Sequence, residues 1–179
     1  MPPSLARQAA NAVTVLRIAL TPVFLWCVLR VEDRGSGWPA VVVFALVALS
    51  DFVDGRIARR LRADSTGGRV LDHGADITFI LAALGVYVGL GIVPWWVPGS
   101  IAAAFAVYVV DSLRRGGAQP SLIGSRIGHL GGVCNYALIG VLVGNDTLGL
   151  AWLPAWMVRV LFALVPIYSG ASILTRLSR

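Results

Sequence analysis

The sequence predicts an all-α integral membrane protein with six transmembrane helices and a short N-terminal interfacial helix. Three observations carry this reading. Of 179 residues, 57% are hydrophobic and 13% charged, with a mean hydropathy of +0.78, unlike a soluble domain. The apolar residues fall in stretches long enough to cross a hydrocarbon core, which takes roughly 20 residues of helix. The charges sit mainly between those stretches, where arginine bias sets orientation. The length suits one membrane domain, residues 1–179.

Taken in order, residues 3–10 are mildly amphipathic and read as the interfacial helix that feeds the first span. That span covers residues 11–31. It carries Asn11, Thr14 and Arg17 at i, i+3 and i+6, roughly along one helix face, and Pro22 is placed to kink it. Residues 30–37 form a charged loop. The second helix starts near Trp38-Pro39 and continues past Asp51 to about Leu61, because its polar residues keep helical spacing. Thr66-Gly67-Gly68 reads as a break, with the third helix running from Arg69 or Val70 to about Leu90. Residues 91–94 make a tight uncharged turn. The fourth span covers residues 95–113, with Trp95 and Trp96 as interfacial anchors. A basic loop at 114–126, a fifth span at 128–143, a turn at Asn145-Asp146-Thr147 and a last span at 150–174 complete the chain.

Every basic residue other than the two histidines is arginine, and the formal charge is +6. One side of the membrane receives Arg7, the arginines of residues 56–69, Arg114, Arg115, Arg126, Arg176 and Arg179. The other receives Arg30 and Arg34, balanced by Glu32 and Asp33. The positive-inside rule then places a multi-pass protein in the cell membrane with both termini cytoplasmic. Topology and anionic lipid headgroups account for the arginines, and nucleic acid is not an expected partner. Cys27 and Cys134 lie in apolar runs and read as buried free thiols. No small-residue cleavage site follows the first apolar stretch, so no removable leader is expected.

The acids are distributed unevenly. Five of the nine, Asp51, Asp54, Asp64, Asp72 and Asp76, fall within residues 51–76. Asp51 and Asp54 are i, i+3, and Ala58 at i+7 continues their face; Asp72 and Asp76 are i, i+4 on the next helix. A glycine turn that folds the two helices back lets these four carboxylates converge near the membrane surface. Without counter-charge such a cluster repels itself strongly. Hard divalent cations with oxygen ligands resolve the repulsion, Mg²⁺ first, and two of them form a clamp suited to diphosphate chemistry. Gly55 and Ala58 leave room for a ligand against the helix, and Gly67 and Gly68 let backbone approach a phosphate. Arg59 can pair with a phosphate oxygen, and Ser65 and Thr66 supply hydroxyls. Asp64 and Arg56, Arg60 and Arg62 read as solvent, topology and headgroup contacts.

The spacing Asp-x₂-Asp-Gly-x₂-Ala-Arg-x₈-Gly-x₃-Asp-x₃-Asp is filled at each fixed position by Asp51, Asp54, Gly55, Ala58, Arg59, Gly68, Asp72 and Asp76. It resembles the signature of the CDP-alcohol phosphatidyltransferase family, and the run Asn11, Thr14, Arg17, Pro22 is similar to that family's first helix. The resemblance implies metal ligation by Asp51, Asp54, Asp72 and Asp76, with two Mg²⁺ ions, or Mn²⁺, and Asp76 also serving as general base. It implies CDP contacts from Gly55, Ala58, Arg59, Ser65, Thr66 and Gly68, with Thr14 and Arg17 joining from the first helix. The implied reaction is attack by an acceptor hydroxyl on CDP-diacylglycerol with release of CMP, and the implied assembly is a homodimer among membrane lipids.

Arg114, Arg126 and His129 are the candidate acceptor contacts. Relatives acting on phosphorylated polyols commonly have a Gly-Lys pair entering the fifth span, where this chain has Gly128-His129, and a neutral histidine is a weaker phosphate partner. The acceptors in view are a phosphorylated polyol of the glycerol phosphate or inositol phosphate type and, as the alternative, phosphatidylglycerol, which would yield cardiolipin. A reversed arrangement, with a small alcohol on CDP and diacylglycerol as acceptor, is compatible with the motif. From another class, a carboxylate-based cation transporter would place its acids near the midplane. His73 is a candidate to support the acids from behind. Asp111 is expected to pair with an arginine, Arg159 to snorkel to the outer interface, and Asn135-Tyr136 to line a cavity or bond another helix.

Overall fold

Six α-helices and one π-helical turn form the described chain in the computed structural model, and no strand occurs among the described residues. The structure describes the backbone of residues 3–31, 36–61, 66–116, 126–150 and 152–178, and the side chains of residue 12 and residues 14–31, 36–50, 73–114, 130–150 and 152–178. The helices are α1 (Pro3–Leu29), α2 (Trp38–Leu61), α3 (Thr66–Gly89), α4 (Trp96–Gly116), α5 (Arg126–Leu142) and α6 (Ala155–Leu177). The π-helical turn Val143–Thr147 extends α5. Contacts group into two compact units, residues 1–79 and residues 80–179.

Two element boundaries depart from the sequence reading. Residues 3–10 do not form a separate interfacial helix; they are the first turns of the continuous α1. Nothing between Ser4 and Thr21 is Gly or Pro, so no residue stops the helix from propagating. Thr66-Gly67-Gly68 is likewise not a break but the first turn of α3. The first N–H groups of a helix have no intrahelical partner anyway, so glycine is tolerated there better than in the interior. The turn expected at residues 145–147 is the π-helical turn, closed by the Leu148 amide donating to the Val143 carbonyl at 2.9 Å.

In the first unit, α1 buries Thr14, Arg17, Thr21, Phe24 and Val28, spaced 3, 4, 3 and 4 residues apart, which is one helix face. Phe24 is wholly buried. Its ring lies 6.3 Å from Phe44 of α2 and 5.3 Å from Phe79 of α3, so three helices meet at one side chain. The Thr21 hydroxyl donates to the Arg17 carbonyl at 2.9 Å, next to the proline that interrupts the backbone ladder. The outward residues of α1 are Val15, Leu16, Ile18, Val23, Trp26 and Leu29. The face turned inward is thus the more polar one, the reverse of a soluble amphipathic helix.

In the second unit, Leu84, Tyr87, Val97, Ile139 and Leu142 are fully buried. α3 ends where Gly91, at φ +73°, takes the left-handed conformation; the amides of Ile92 and Val93 both return to the Tyr87 carbonyl, at 2.9 and 3.1 Å. Tyr87 and Thr147 share a buried hydroxyl hydrogen bond of 2.7 Å. Asn145 clamps Leu153 through a donated bond of 2.9 Å and an accepted one of 3.2 Å. The outward side of α6 carries Trp156, Met157, Val160, Leu164, Ile167, Leu174 and Leu177, while Ser169 and Arg176 are buried.

Two helical segments are long and apolar enough to cross a membrane, residues 96–114 and 155–177. The apolar helical segments at 14–29, 38–50 and 73–89 are shorter. Cys27 is buried as expected, whereas Cys134 is exposed. The apolar run around Cys134 does not distinguish an inward from an outward position, because the outward faces here are also apolar.

Phe24→Ala should destabilise the detergent-solubilised protein by about 3–5 kcal/mol, since it removes the side chain shared by three helices. Val23→Ala, on the outward side, should change stability by no more than about 0.5 kcal/mol. Thermal unfolding of the two variants beside the parent checks the contrast.

Candidate active site

Six of the predicted site residues, Thr14, Arg17, Thr66, Gly68, Asp72 and Asp76, lie on α1 and on the part of α3 within the first unit. Thr14 and Arg17 face inward from α1, and Asp72 and Asp76 stand one turn apart on α3. Arg17 is the bulkiest side chain that is fully buried among the described residues. Its Nη1 donates to Oδ1 of Asp76 in a charge-assisted hydrogen bond. Asp76 itself keeps 25% of its side-chain surface exposed. A buried cation therefore meets the inner side of a carboxylate that remains reachable from outside.

This contact has a plain electrostatic cause. A guanidinium cannot shed its proton and is very costly to bury alone. A partly buried carboxylate likewise gains from a positive neighbour. Phe24 and Phe79 stack further along the same two helices, in the same chain direction as Arg17 and Asp76. An ionic contact and an aromatic contact thus set α1 and α3 in register side by side.

The remaining motif positions are placed by backbone alone. Asp51, Asp54, Gly55, Ala58 and Arg59 stand on the unbroken α2, and Thr66, Gly68 and Asp72 on the first two turns of α3. The spacing i, i+3 of Asp51 and Asp54 and i, i+4 of Asp72 and Asp76 is therefore helical spacing, as the sequence required. Their side chains, Asp76 excepted, lie outside the described residues, as do Ser65 and Asp64. Among the acceptor candidates, Arg114 is exposed near the end of α4, while Arg126 and His129 lie on the first turns of α5 with side chains outside the described residues. His73 is exposed on α3, and Arg159 is exposed on α6.

A divalent metal is tested by the donors present. Asp51, Asp54, Asp72 and Asp76 offer only hard carboxylate oxygens, the ligand type Mg²⁺ takes. The one whose surroundings are described, Asp76, has already drawn a buried cation to itself. By residue type the donor set fits a hard divalent ion.

The second unit holds a polar cluster that sequence reasoning found only in part. The expected arginine partner of Asp111 is Arg176, with Nη1 3.5 Å from Oδ2. The Arg176 guanidinium also lies 4.4 Å from the centroid of the Tyr108 ring, and Ser112 is buried beside them in sequence. The signal was Tyr108, Asp111 and Ser112 at i, i+3 and i+4 in the otherwise apolar stretch 101–113. Asn135 bonds a neighbouring helix, as anticipated, by accepting from the Tyr168 hydroxyl of α6.

Comparison with known proteins agrees with the motif. The family model described as CDP-alcohol phosphatidyltransferase matches residues 7–167. The chain is 39% identical over 115 residues to a cardiolipin synthase (CMP-forming) of Streptomyces coelicolor, covering 62% of this chain and 53% of that protein. It is 33% identical over 115 residues to a CDP-diacylglycerol–glycerol-3-phosphate 3-phosphatidyltransferase of Cereibacter sphaeroides, covering 63% and 52%. It is 33% identical over 109 residues to the protein of that name from Bacillus subtilis, covering 54% and 56%. The chain spans about half the length of the curated relatives it matches.

If Asp111 and Arg176 are coupled, Arg176→Met should lower stability by about 1–3 kcal/mol, the range for losing a hydrogen bond to a charged group. Adding Asp111→Asn should return part of the loss. Thermal unfolding of the two single variants and the double variant reads the coupling directly; strictly additive losses would show that there is none.

Proposed function

The chain belongs to the CDP-alcohol phosphatidyltransferase family, and from that premise we propose that it transfers a phosphatidyl group from CDP-diacylglycerol to the hydroxyl of an acceptor, releasing CMP. The observation that carries the proposal is the acidic motif itself. All of its positions lie on two unbroken helices, and its last acid, Asp76, is held by a buried arginine while part of its surface stays exposed.

The chemistry is assigned residue by residue. Asp51, Asp54, Asp72 and Asp76 would hold Mg²⁺ or Mn²⁺. When bound, the metal supplies Lewis-acid neutralisation of the diphosphate and the departing CMP. Gly55, Ala58 and Gly68 leave space beside the helices for the CDP moiety, and Arg59, Ser65, Thr66 and Thr14 donate to it. Asp76 accepts the proton of the attacking hydroxyl. The oxygen so freed forms its bond to the β-phosphorus as the bond to CMP breaks, and the negative charge leaves on CMP. The inverted packing of α1 and α6 supports a multi-pass protein whose apolar faces meet lipid. We extend this to six spans, a cytoplasmic motif and a homodimer in the cell membrane.

Two acceptors have separate support. The basic residues Arg114, Arg115 and Arg126 favour a phosphorylated polyol of the glycerol phosphate or inositol phosphate type. The higher identity to a protein named cardiolipin synthase, 39% against 33%, and His129 in place of a lysine favour phosphatidylglycerol.

The deciding assay presents purified protein with CDP-diacylglycerol, Mg²⁺ and a panel of acceptors, and identifies the lipid product by mass spectrometry. CMP release should stop on chelation and return with added Mg²⁺. Silence with every acceptor would count against the transferase reading. Asp76→Asn should lower turnover by about 10²–10⁴-fold, the usual contribution of a positioned base, while CDP-lipid binding is retained in part. Full activity in that variant would remove Asp76 from the base role.

A further inference from the structure

We infer that Arg17 is a positioning residue that acts through Asp76, fixing the orientation of the carboxylate that serves as base. This rests on the transferase reading and deepens it, because the family resemblance implies only a CDP contact for Arg17. The geometry differs from that of an open substrate contact. Arg17 has no exposed side-chain surface; it occupies the packed stripe of α1, bracketed by Thr14 one turn before and Thr21 one turn after. Its guanidinium reaches Oδ1 of Asp76 from this interior position. Asp76 is anchored on its inner side and has 25% of its side-chain surface exposed.

An oriented base needs this arrangement. A lone aspartate rotates about two side-chain torsions and presents either oxygen. A charge-assisted hydrogen bond from a wholly buried donor restricts that freedom. Arginine suits the task because its planar fork is always charged and directional, where lysine offers a compact point charge on a flexible stem. The donor is itself held: the Thr21 hydroxyl bonds the Arg17 carbonyl, and Phe24 locks the same face of α1 against Phe79, three residues beyond Asp76. A third group orienting the base is the recurrent logic of activated acceptors.

The test uses the full chain in detergent or nanodiscs, with CMP release followed against CDP-diacylglycerol concentration and CDP-diacylglycerol binding measured separately. For Arg17→Gln, kcat should fall by about 10²-fold, the scale for a misplaced catalytic group, while KM and the binding constant for CDP-diacylglycerol stay within roughly threefold. Arg17→Lys should recover part of kcat. In an Asp76→Asn background, Arg17→Gln should lower kcat no further, because residues acting as a unit are not additive. A raised KM and weakened binding at preserved kcat would overturn the inference and make Arg17 a direct donor contact. Multiplicative losses from Arg17→Gln and Asp76→Asn would also overturn it.

Should Arg17→Gln fail to fold, Arg17→Lys and the double variant, which leaves no unpaired buried charge, carry the comparison. If the parent protein releases no CMP with any acceptor, the transferase reading fails separately. The coupling of Arg17 to Asp76 is then still read from the thermal unfolding of the two single variants and the double variant, and additive shifts would dismiss it.

Discussion

The ion pair between buried Arg17 and half-buried Asp76 is the constraint on which the first unit depends. A fully buried guanidinium is tolerable only if a carboxylate meets it. That requirement fixes which face of α1 turns inward and which turn of α3 it touches. The aromatic contacts of Phe24 with Phe44 and Phe79 then follow on the same face, and the outward residues are left apolar. An ion pair of this kind is weak evidence for stability, since two charges lose hydration to form it. Its value lies in specificity: α1 and α3 can slide past one another only by separating the charges.

The same inversion runs through both units. Arg17 and Thr14 in the first, and Arg176, Ser169 and Asn135 in the second, are buried, while tryptophans, leucines and valines point out. In water this arrangement would expose far more apolar surface than a soluble protein tolerates. In lipid it is the economical one, because apolar faces lose nothing by meeting acyl chains and polar groups satisfy one another inside. Tyr168 with Asn135, Tyr87 with Thr147 and Arg176 with Asp111 are three such internal satisfactions within the second unit.

How much of this was legible in the sequence depends on whether a feature is local. The bounds of α2 were read correctly because polar residues keep helical spacing beyond Asp51, and the turn after α3 because Gly91 and Pro94 punctuate it. The start of α3 was misplaced because Gly67-Gly68 was read by its interior propensity, although a first turn carries little of that penalty. The eight motif positions were legible as a linear pattern, and the structure adds that they occupy continuous helices. The partner of Arg17 was not legible. Nothing local links residue 17 to residue 76; the pairing is a property of how α1 and α3 pack. Cys134 was misjudged for a related reason, since in a membrane helix an apolar neighbourhood marks both the inside and the outside.

That distinction also explains why the donor half of the proposed reaction is so much better specified than the acceptor half. A diphosphate and its metals need several ligands at fixed separation, and the proposed ones come from two consecutive helices in one stretch of 26 residues, 51–76. Their spacing is then written into the chain at single-residue precision. An acceptor needs one or two contacts, drawn from separate elements such as the end of α4 and the start of α5, and each contact alone is no different from an arginine that merely marks the cytoplasmic side. In the proposed reaction Asp76 belongs to both halves, as a metal ligand and as the base toward the acceptor. On the inference drawn above, Arg17 would hold that residue from its buried side whichever acceptor arrives.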